Sequence, residues 1–316
     1  MTRRVAAVDC GTNSLRLLVA DVDPGRGQIT DVARRMEIVR LGQGVDRTGR
    51  LAPEALERTV AVLRDYAGVI AGSAAQAVRM VATSATRDAS NAADFTRQVK
   101  EVLGVAPEVL TGSAEAVLSF TGATAELAGQ AEAGPFLVAD IGGGSTEFVL
   151  GAAGHPDAAI SVNIGCVRMT ERHLPGDPPA PSQVAAATAD IDAALQQVAA
   201  EVPVTRARTL IGLAGSVTTV AAIALGLPAY AAERIHHSHI SAADVHRVTQ
   251  QLLSQTRAER AAIGVMHPGR VDVIGGGALV LDRIMTRFGF AEVLVSEHDI
   301  LDGIAWSLAG DPPPPR

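Results

Sequence analysis

The sequence has few aromatic residues and an excess of negative charge. Aromatic side chains make up 3% of its 316 residues, and 27 Lys and Arg stand against 34 Asp and Glu, for a formal net charge of −7. Single-stranded nucleic acids are bound by stacking on aromatic side chains, and nucleic acids in general are attracted by basic surfaces. We therefore expect no nucleic-acid partner.

Disulfide patterns and long apolar runs are also missing. The two cysteines, Cys10 and Cys166, form no C-x-x-C motif and no pairing pattern, which favours a reducing compartment. No apolar signal segment follows the first residues, and no apolar run reaches the ~18 residues that a membrane helix needs. We expect a cytoplasmic protein with no membrane partner.

The most informative stretch is Ala139–Glu147, where three consecutive glycines separate two apolar runs. This pattern predicts a buried strand, a tight turn and a second strand. Backbone N–H groups in such a turn form a concavity that binds anions such as phosphate. Asp140 and Glu147 flank the turn, so a hairpin would place one carboxylate to hold a divalent cation and the other to handle water. The alternative is an ordinary glycine-rich hairpin.

A weaker copy of this stretch lies 131 positions earlier, at Val8–Ser14. Asp9 aligns with Asp140 and Ser14 with Ser145, and apolar runs flank both copies. The spacing is about the size of one domain. Two similar domains are therefore expected, with a ligand held in the cleft between them.

The predicted order of elements repeats in the same way. Each half contains three strands, a helix, a strand, a helix and a strand, which indicates an α/β duplication. We place the first domain at residues 1–128 and the second at 129–298, with a small-residue linker at 129–134. A closing helix over 299–310 is expected to return to the first domain.

Six stretches together resemble the exopolyphosphatase/guanosine pentaphosphate phosphohydrolase family, in the order in which that family has them. They are Asp9–Ser14, Thr83–Asn91, Gly112–Ala116, Asp140–Glu147, Gly165–Glu171 and Gly212–Ser216. The resemblance implies two RNase H-like domains of the actin, Hsp70 and sugar kinase superfamily with an interdomain cleft. It also implies Mg²⁺-dependent removal of the terminal phosphoryl group from inorganic polyphosphate, from pppGpp or from both. The chain resembles the short, two-domain form, for which we expect short polyphosphate chains as substrate and a homodimer.

The resemblance assigns Glu115 as the general base and Arg87 as the arginine that reaches a substrate phosphate. The family often has two successive glutamates at this point, and here Ala114 replaces the first. Without the resemblance, Glu115 would be interpreted as an exposed glutamate in the first turn of a helix, where the helix dipole favours it.

The remaining assignments concern the two glycine turns. Asp140 matches the metal-associated aspartate and Glu147 the second acidic residue of the hairpin, and both are predicted to be catalytic with Glu115. We expect Asp9 to share the metal with Asp140. The predicted phosphate-binding residues of the turns are Thr12, Asn13, Ser14, Gly143, Gly144 and Ser145.

Two other functions stay open at this point. One is a pppGpp 5′-phosphohydrolase. The other is a non-catalytic, actin-like regulatory protein that binds a nucleotide. For the second, Gly212–Ser216 would be a remnant of an adenosine loop, with Ala214 in a position where glycine is expected. Arg168 either lines the cleft or lies on a solvated helix face.

Overall fold

The structure is a computed structural model, and it describes residues 2–127, 134–152 and 154–310. These residues form two compact units. Unit 1 contains residues 2–127 and 299–310, and unit 2 contains the described residues from 134 to 298. The predicted boundary between residues 128 and 129 lies outside the described residues. Each unit has its own mixed sheet with helices, so the predicted α/β class is confirmed.

Unit 1 is built on a five-stranded sheet. Its elements up to the end of the first chain segment are β1 (Arg3–Cys10), β2 (Ser14–Asp23), β3 (Gln28–Ile38), α1 (Val45–Thr48), α2 (Pro53–Gly72), β4 (Ala77–Ala82), α3 (Ser84–Arg87), α4 (Ala92–Leu103), β5 (Glu108–Val109) and α5 (Gly112–Thr124). The strand order is β3-β2-β1-β4-β5, with β1 antiparallel to β2 and parallel to β4.

Unit 2 repeats this order and adds one edge strand. Its elements are β6 (Phe136–Ile141), β7 (Thr146–Ala152), β8 (His155–Val162), α6 (Cys166–His173), α7 (Pro181–Glu201), β9 (Thr209–Leu213), α8 (Ala214–Ala224), α9 (Ala232–Ile235), β10 (His239–Ser241), α10 (Ala242–Ser254), α11 (Arg257–Ala261), α12 (Ile274–Phe288) and β11 (Glu292–Val295). The strand order is β8-β7-β6-β9-β11-β10, with β10 antiparallel to β11.

The last helix, α13 (Ile300–Ala309), packs on the sheet of unit 1. Val5 and Ala7 of β1 belong to the same apolar cluster as Trp306 of this helix, while Ala6 and Val8 belong to the cluster on the opposite face. Successive strand residues point to opposite faces. The continuous apolar run of β1 therefore follows from a sheet that is covered on both sides.

Two short elements were not predicted from the sequence. The stretch Thr83–Asn91 contains the helix α3, which is too short to show a helical period. Strand β10 was not predicted, because its three residues are extended through pairing with β11 and not through a pattern of their own. None of the described helices is both long and apolar enough to cross a membrane.

Candidate active site

In unit 1, the first glycine turn joins β1 to β2. The carbonyl oxygens of Thr12 and Asn13 accept three backbone N–H groups from residues 39–42, at 2.8 to 3.1 Å. The N–H of a trans peptide points away from the C=O of the same peptide. The Asn13 N–H therefore points away from residues 39–42, and no described residue accepts its hydrogen bond. Such an N–H is available to an anion.

The same turn is connected to the predicted base through α3. The Thr12 and Ser84 hydroxyl oxygens lie 2.8 Å apart, and Arg87 is the last residue of α3. Arg87 Nη1 lies 2.9 Å from the carbonyl oxygen of Leu110 and 3.2 Å from Glu115 Oε2. A phosphate bound beside Arg87 would therefore lie next to the Glu115 carboxylate.

Glu115 is held by the way α5 begins and packs. The Thr111 hydroxyl accepts the Ala114 N–H at 3.2 Å and caps the helix, and Glu115 itself is 7% exposed. Farther along, Gly122 of α5 and Gly303 of α13 let the two helices approach so closely that a Cβ at either position would overlap the backbone of the other helix. The position of Glu115 therefore depends on α13.

Asp9 is held by an arginine that the sequence analysis did not select. Arg16 donates two hydrogen bonds to Asp9 Oδ2, at 2.6 and 3.0 Å, and a third to Asp299. Asp299 in turn accepts the Leu301 N–H and caps α13. Burial raises the pKa of the Asp9 carboxyl above its ordinary value, and the Arg16 guanidinium opposes that rise.

Buried polar atoms without partners concentrate at this turn. Among the described residues, the buried side-chain atoms with no hydrogen-bond partner are Asp9 Oδ1, Asn13 Oδ1, Thr86 Oγ1 and Gln255 Oε1. The first three belong to motifs selected from the sequence. Folded proteins satisfy nearly all buried polar groups, so the two unsatisfied atoms of the turn, on Asp9 and Asn13, suit a bound ion or ligand.

In unit 2, the triple-glycine turn joins β6 to β7. The carbonyl oxygens of Gly142, Gly143 and Gly144 all accept backbone N–H groups from residues 165–168, at 2.8 to 3.3 Å. The N–H groups of Gly143 and Gly144 therefore point away from α6, and within the described ranges neither has a hydrogen-bond partner. Gly165 packs so closely on Gly143 that a Cβ would not fit.

The two carboxylates of this hairpin form a cross-strand pair. Asp140 and Glu147 are directly opposite in the β6–β7 register, and they are 7% and 1% exposed. Glu147 Oε1 accepts a hydrogen bond of 2.6 Å from the hydroxyl of Ser161 on β8. Like charges directly opposite one another in a sheet repel, so this pair favours a cation nearby.

Arg168 belongs to the turn as well. Its Nε donates a hydrogen bond of 2.7 Å to the Gly144 carbonyl oxygen, and the residue is half-buried. Ser161 and Asp299 were not predicted from the sequence, because each has a partner on another element: Glu147 for Ser161 and Arg16 for Asp299. A signal did exist for Arg16, which follows Asp9 by the same interval as Glu147 follows Asp140.

The structure thus groups the predicted residues by unit. Unit 1 carries Asp9, Thr12, Asn13, Ser14, Arg87 and Glu115, and unit 2 carries Asp140, Gly143, Gly144, Ser145 and Glu147. Their roles in binding and catalysis stay predictions.

The sequence and the fold were compared with known proteins. Exopolyphosphatase 2 of Mycobacterium tuberculosis is 52% identical over 318 aligned residues, which cover 97% of this chain and 99% of that protein. A crystal structure of an exopolyphosphatase-like protein has a TM-score of 0.93 at 43% identity and covers 97% of this chain and 98% of its own. The guanosine-5′-triphosphate,3′-diphosphate pyrophosphatase of Aeromonas salmonicida is 28% identical over 97% of this chain and 59% of its own length.

One family model spans most of the chain. Residues 18–310 match the model described as the Ppx/GppA phosphatase family, and this is the family that the six sequence stretches resemble. The chain belongs to the Ppx/GppA phosphatase family.

Proposed function

We propose that this protein is an exopolyphosphatase, which removes the terminal phosphoryl group of linear inorganic polyphosphate and releases orthophosphate. The observation that carries the proposal is the contact of 3.2 Å between Arg87 and Glu115 in unit 1, which puts a phosphate ligand and a base side by side. The 52% identity to a protein named exopolyphosphatase 2, over nearly the full length of both chains, supports the substrate class.

The proposed reaction is hydrolysis of one phosphoanhydride bond. The oxygen of a water attacks the terminal phosphorus, and the bridging P–O bond to the next phosphate breaks. Glu115 takes the proton of the attacking water, as a general base. Arg87 and the Asn13 N–H of the unit 1 turn neutralise and orient the phosphate oxygens. The products are orthophosphate and a chain that is one unit shorter.

The residues present suit Mg²⁺, whose preferred ligands are carboxylate and carbonyl oxygens. Asp9 Oδ1 is a buried acceptor that no described group satisfies, and Asp140 stands opposite another buried carboxylate. We propose Asp9 in unit 1 and Asp140 in unit 2 as the carboxylates of the two turns that would serve as Mg²⁺ ligands. When bound, Mg²⁺ would offset negative charge on the phosphoryl oxygens.

Hydrolysis of pppGpp is the second candidate, because a relative named guanosine-5′-triphosphate,3′-diphosphate pyrophosphatase matches nearly the whole chain. Orthophosphate release from polyphosphates of defined length, from pppGpp and from ATP, measured side by side with Mg²⁺, separates the candidates. Faster turnover of short polyphosphate supports the proposal. Faster turnover of pppGpp would replace it with the second candidate, and tight ATP binding without release from any substrate would indicate a regulatory protein.

Glu115→Gln tests the role of the base. We expect kcat on polyphosphate to fall by roughly 10²–10⁴, the usual contribution of a positioned general base, while polyphosphate binding persists. Glu57→Gln is the matched control, because Glu57 is an exposed residue of α2. Turnover by Glu115→Gln close to that of the control would remove Glu115 from the mechanism.

Location in the cytoplasm and assembly as a homodimer are further proposals. Both described cysteines are free and buried, which suits a reducing compartment. Light scattering coupled to size-exclusion chromatography measures the oligomeric state directly.

A further inference from the structure

A chain segment rich in arginine, residues 39–58, begins at the first glycine turn. The Gly42 N–H donates a hydrogen bond of 2.8 Å to the Thr12 carbonyl oxygen. A side chain at Gly42 would overlap the methyl group of Thr12 and meet Ala85. The start of the arginine segment is therefore fixed against a residue that is predicted to bind phosphate.

The middle of the arginine segment is fixed to the motif that carries Arg87. Ser90 donates both its backbone N–H and its hydroxyl to the Gly49 carbonyl oxygen, at 2.9 and 3.0 Å. The Asn91 side chain exchanges two hydrogen bonds with the backbone of Leu51, at 2.9 and 3.0 Å. The segment therefore lies between the two elements of unit 1 that carry predicted phosphate ligands.

A cavity of about 480 Å³ opens on this segment. Its charged lining consists of Arg47, Arg50 and Arg58 against the single carboxylate of Glu54. Arg58 donates to the Val39 carbonyl oxygen at 3.1 Å. Neither Arg47 nor Arg50 has an anionic partner among the residues that the structure describes. Positive charge is thus concentrated here in a chain whose net charge is −7.

The N-terminus of α2 borders the same cavity. Ala52 is its N-cap and offers no side-chain acceptor, and Pro53 follows at the first helical position. Pro53 has no N–H, and the Ala55 and Leu56 N–H groups donate to the Ala52 carbonyl oxygen, so it is the helix dipole that favours an anion at this end. The helix end therefore adds to the attraction of the arginines.

We propose that this cavity is a distal subsite for linear inorganic polyphosphate, which binds phosphoryl units beyond those next to Thr12 and Arg87. The inference rests on the proposed function, because it takes the substrate to be a chain of phosphates. Every further unit of such a chain adds negative charge that needs a counter-charge. Arg47 and Arg50 supply it, so chains that are long enough to reach the cavity bind more tightly than short ones.

The double variant Arg47→Gln/Arg50→Gln tests the subsite. The matched control is Arg64→Gln/Arg208→Gln, which removes the same charge from exposed positions outside the cavity. Calorimetric titrations with tripolyphosphate and with a much longer polyphosphate, in buffer containing EDTA, measure binding without turnover. Circular dichroism melting curves check that all variants are folded.

We expect the double variant to weaken binding of the long chain by roughly 2- to 30-fold, the range for two exposed ion pairs, with a shallower salt dependence. Tripolyphosphate binding should change less than the long-chain binding, and the control should change neither. Equal weakening at both lengths, or no weakening, would overturn the subsite. Phosphate release by the wild-type protein decides the proposed function separately: release with no length-dependent effect of the variants removes only the subsite.

Discussion

The two glycine turns share a backbone arrangement but differ in the residue that faces their aspartate. In unit 1, the cross-strand partner of Asp9 is Arg16, and the two form a salt bridge at 2.6 Å. In unit 2, the cross-strand partner of Asp140 is Glu147. One turn places a guanidinium opposite its aspartate, and the other places a second buried carboxylate there. The difference predicts that Mg²⁺ binding depends more on the carboxylates of unit 2 than on Asp9 of unit 1.

The segments that support the turns differ as well. Both follow the third strand of their unit and bind the carbonyl oxygens of the turn. In unit 1 the segment is residues 39–42, where Arg40 adopts a positive φ of 52°. In unit 2 it is the start of α6, with the side chain of Arg168 added. A loop in unit 1 and a helix start in unit 2 thus have the same effect: each binds the carbonyl oxygens of its glycine turn, so that N–H groups of the turn point away from it.

Removing Arg16 should have the largest effect on stability. Arg16→Met leaves two carboxylates, Asp9 and Asp299, that are 3% and 5% exposed. Loss of one partner of a buried ion pair typically lowers the free energy of unfolding by about 3–5 kcal/mol. Urea denaturation measures the change. Arg79→Met, which breaks an ion pair with the exposed Glu108, is the control and should cost about 0–1 kcal/mol. Equal losses in the two variants would mean that Arg16 is not needed to neutralise the turn.

The next largest effect should be on the Mg²⁺ requirement. Asp140→Asn removes one of two adjacent carboxylates and should raise the Mg²⁺ concentration for half-maximal activity by about 10- to 100-fold. Asp9→Asn should raise it less, because Arg16 already binds one oxygen of Asp9. Activity titrated with Mg²⁺ measures both. If the Asp9 variant shifts the requirement more, the proposed division between the turns is wrong.

Local patterns were enough to predict the hairpins. The glycines and the apolar runs correctly placed Asp140 and Glu147 on the two strands that flank the turn. Patterns of this kind could not show the bond between Arg16 and Asp299, which are 283 positions apart in the chain. The one sequence signal for Arg16 is its interval from Asp9, which equals that of Glu147 from Asp140. The roles of Glu115 and Arg87 came from the family resemblance, and the structure adds their contact.

The smallest expected effect concerns Ser161, whose hydroxyl has no counterpart at the matching position of unit 1. Ser161 faces Glu147 in the β7–β8 register and donates to its carboxylate at 2.6 Å, whereas the residue opposite Arg16 on β3 is Met36. Removal of the Ser161 hydroxyl would break this hydrogen bond to Glu147, and a water could partly replace it. We therefore expect kcat to fall by about 3- to 10-fold.

Ser161→Ala measures this loss, and Ser161→Thr should restore activity, because it keeps the hydroxyl and suits a strand. Steady-state kinetics give kcat and KM separately. Loss of the correct orientation of Glu147 would lower kcat, whereas weaker substrate binding would raise KM. A threonine variant as slow as the alanine variant would show that Ser161 acts through packing and not through its bond to Glu147. The two carboxylates of unit 2 would then be held without help from β8, and the contrast with the arginine-neutralised turn of unit 1 would rest on Asp140 and Glu147 alone.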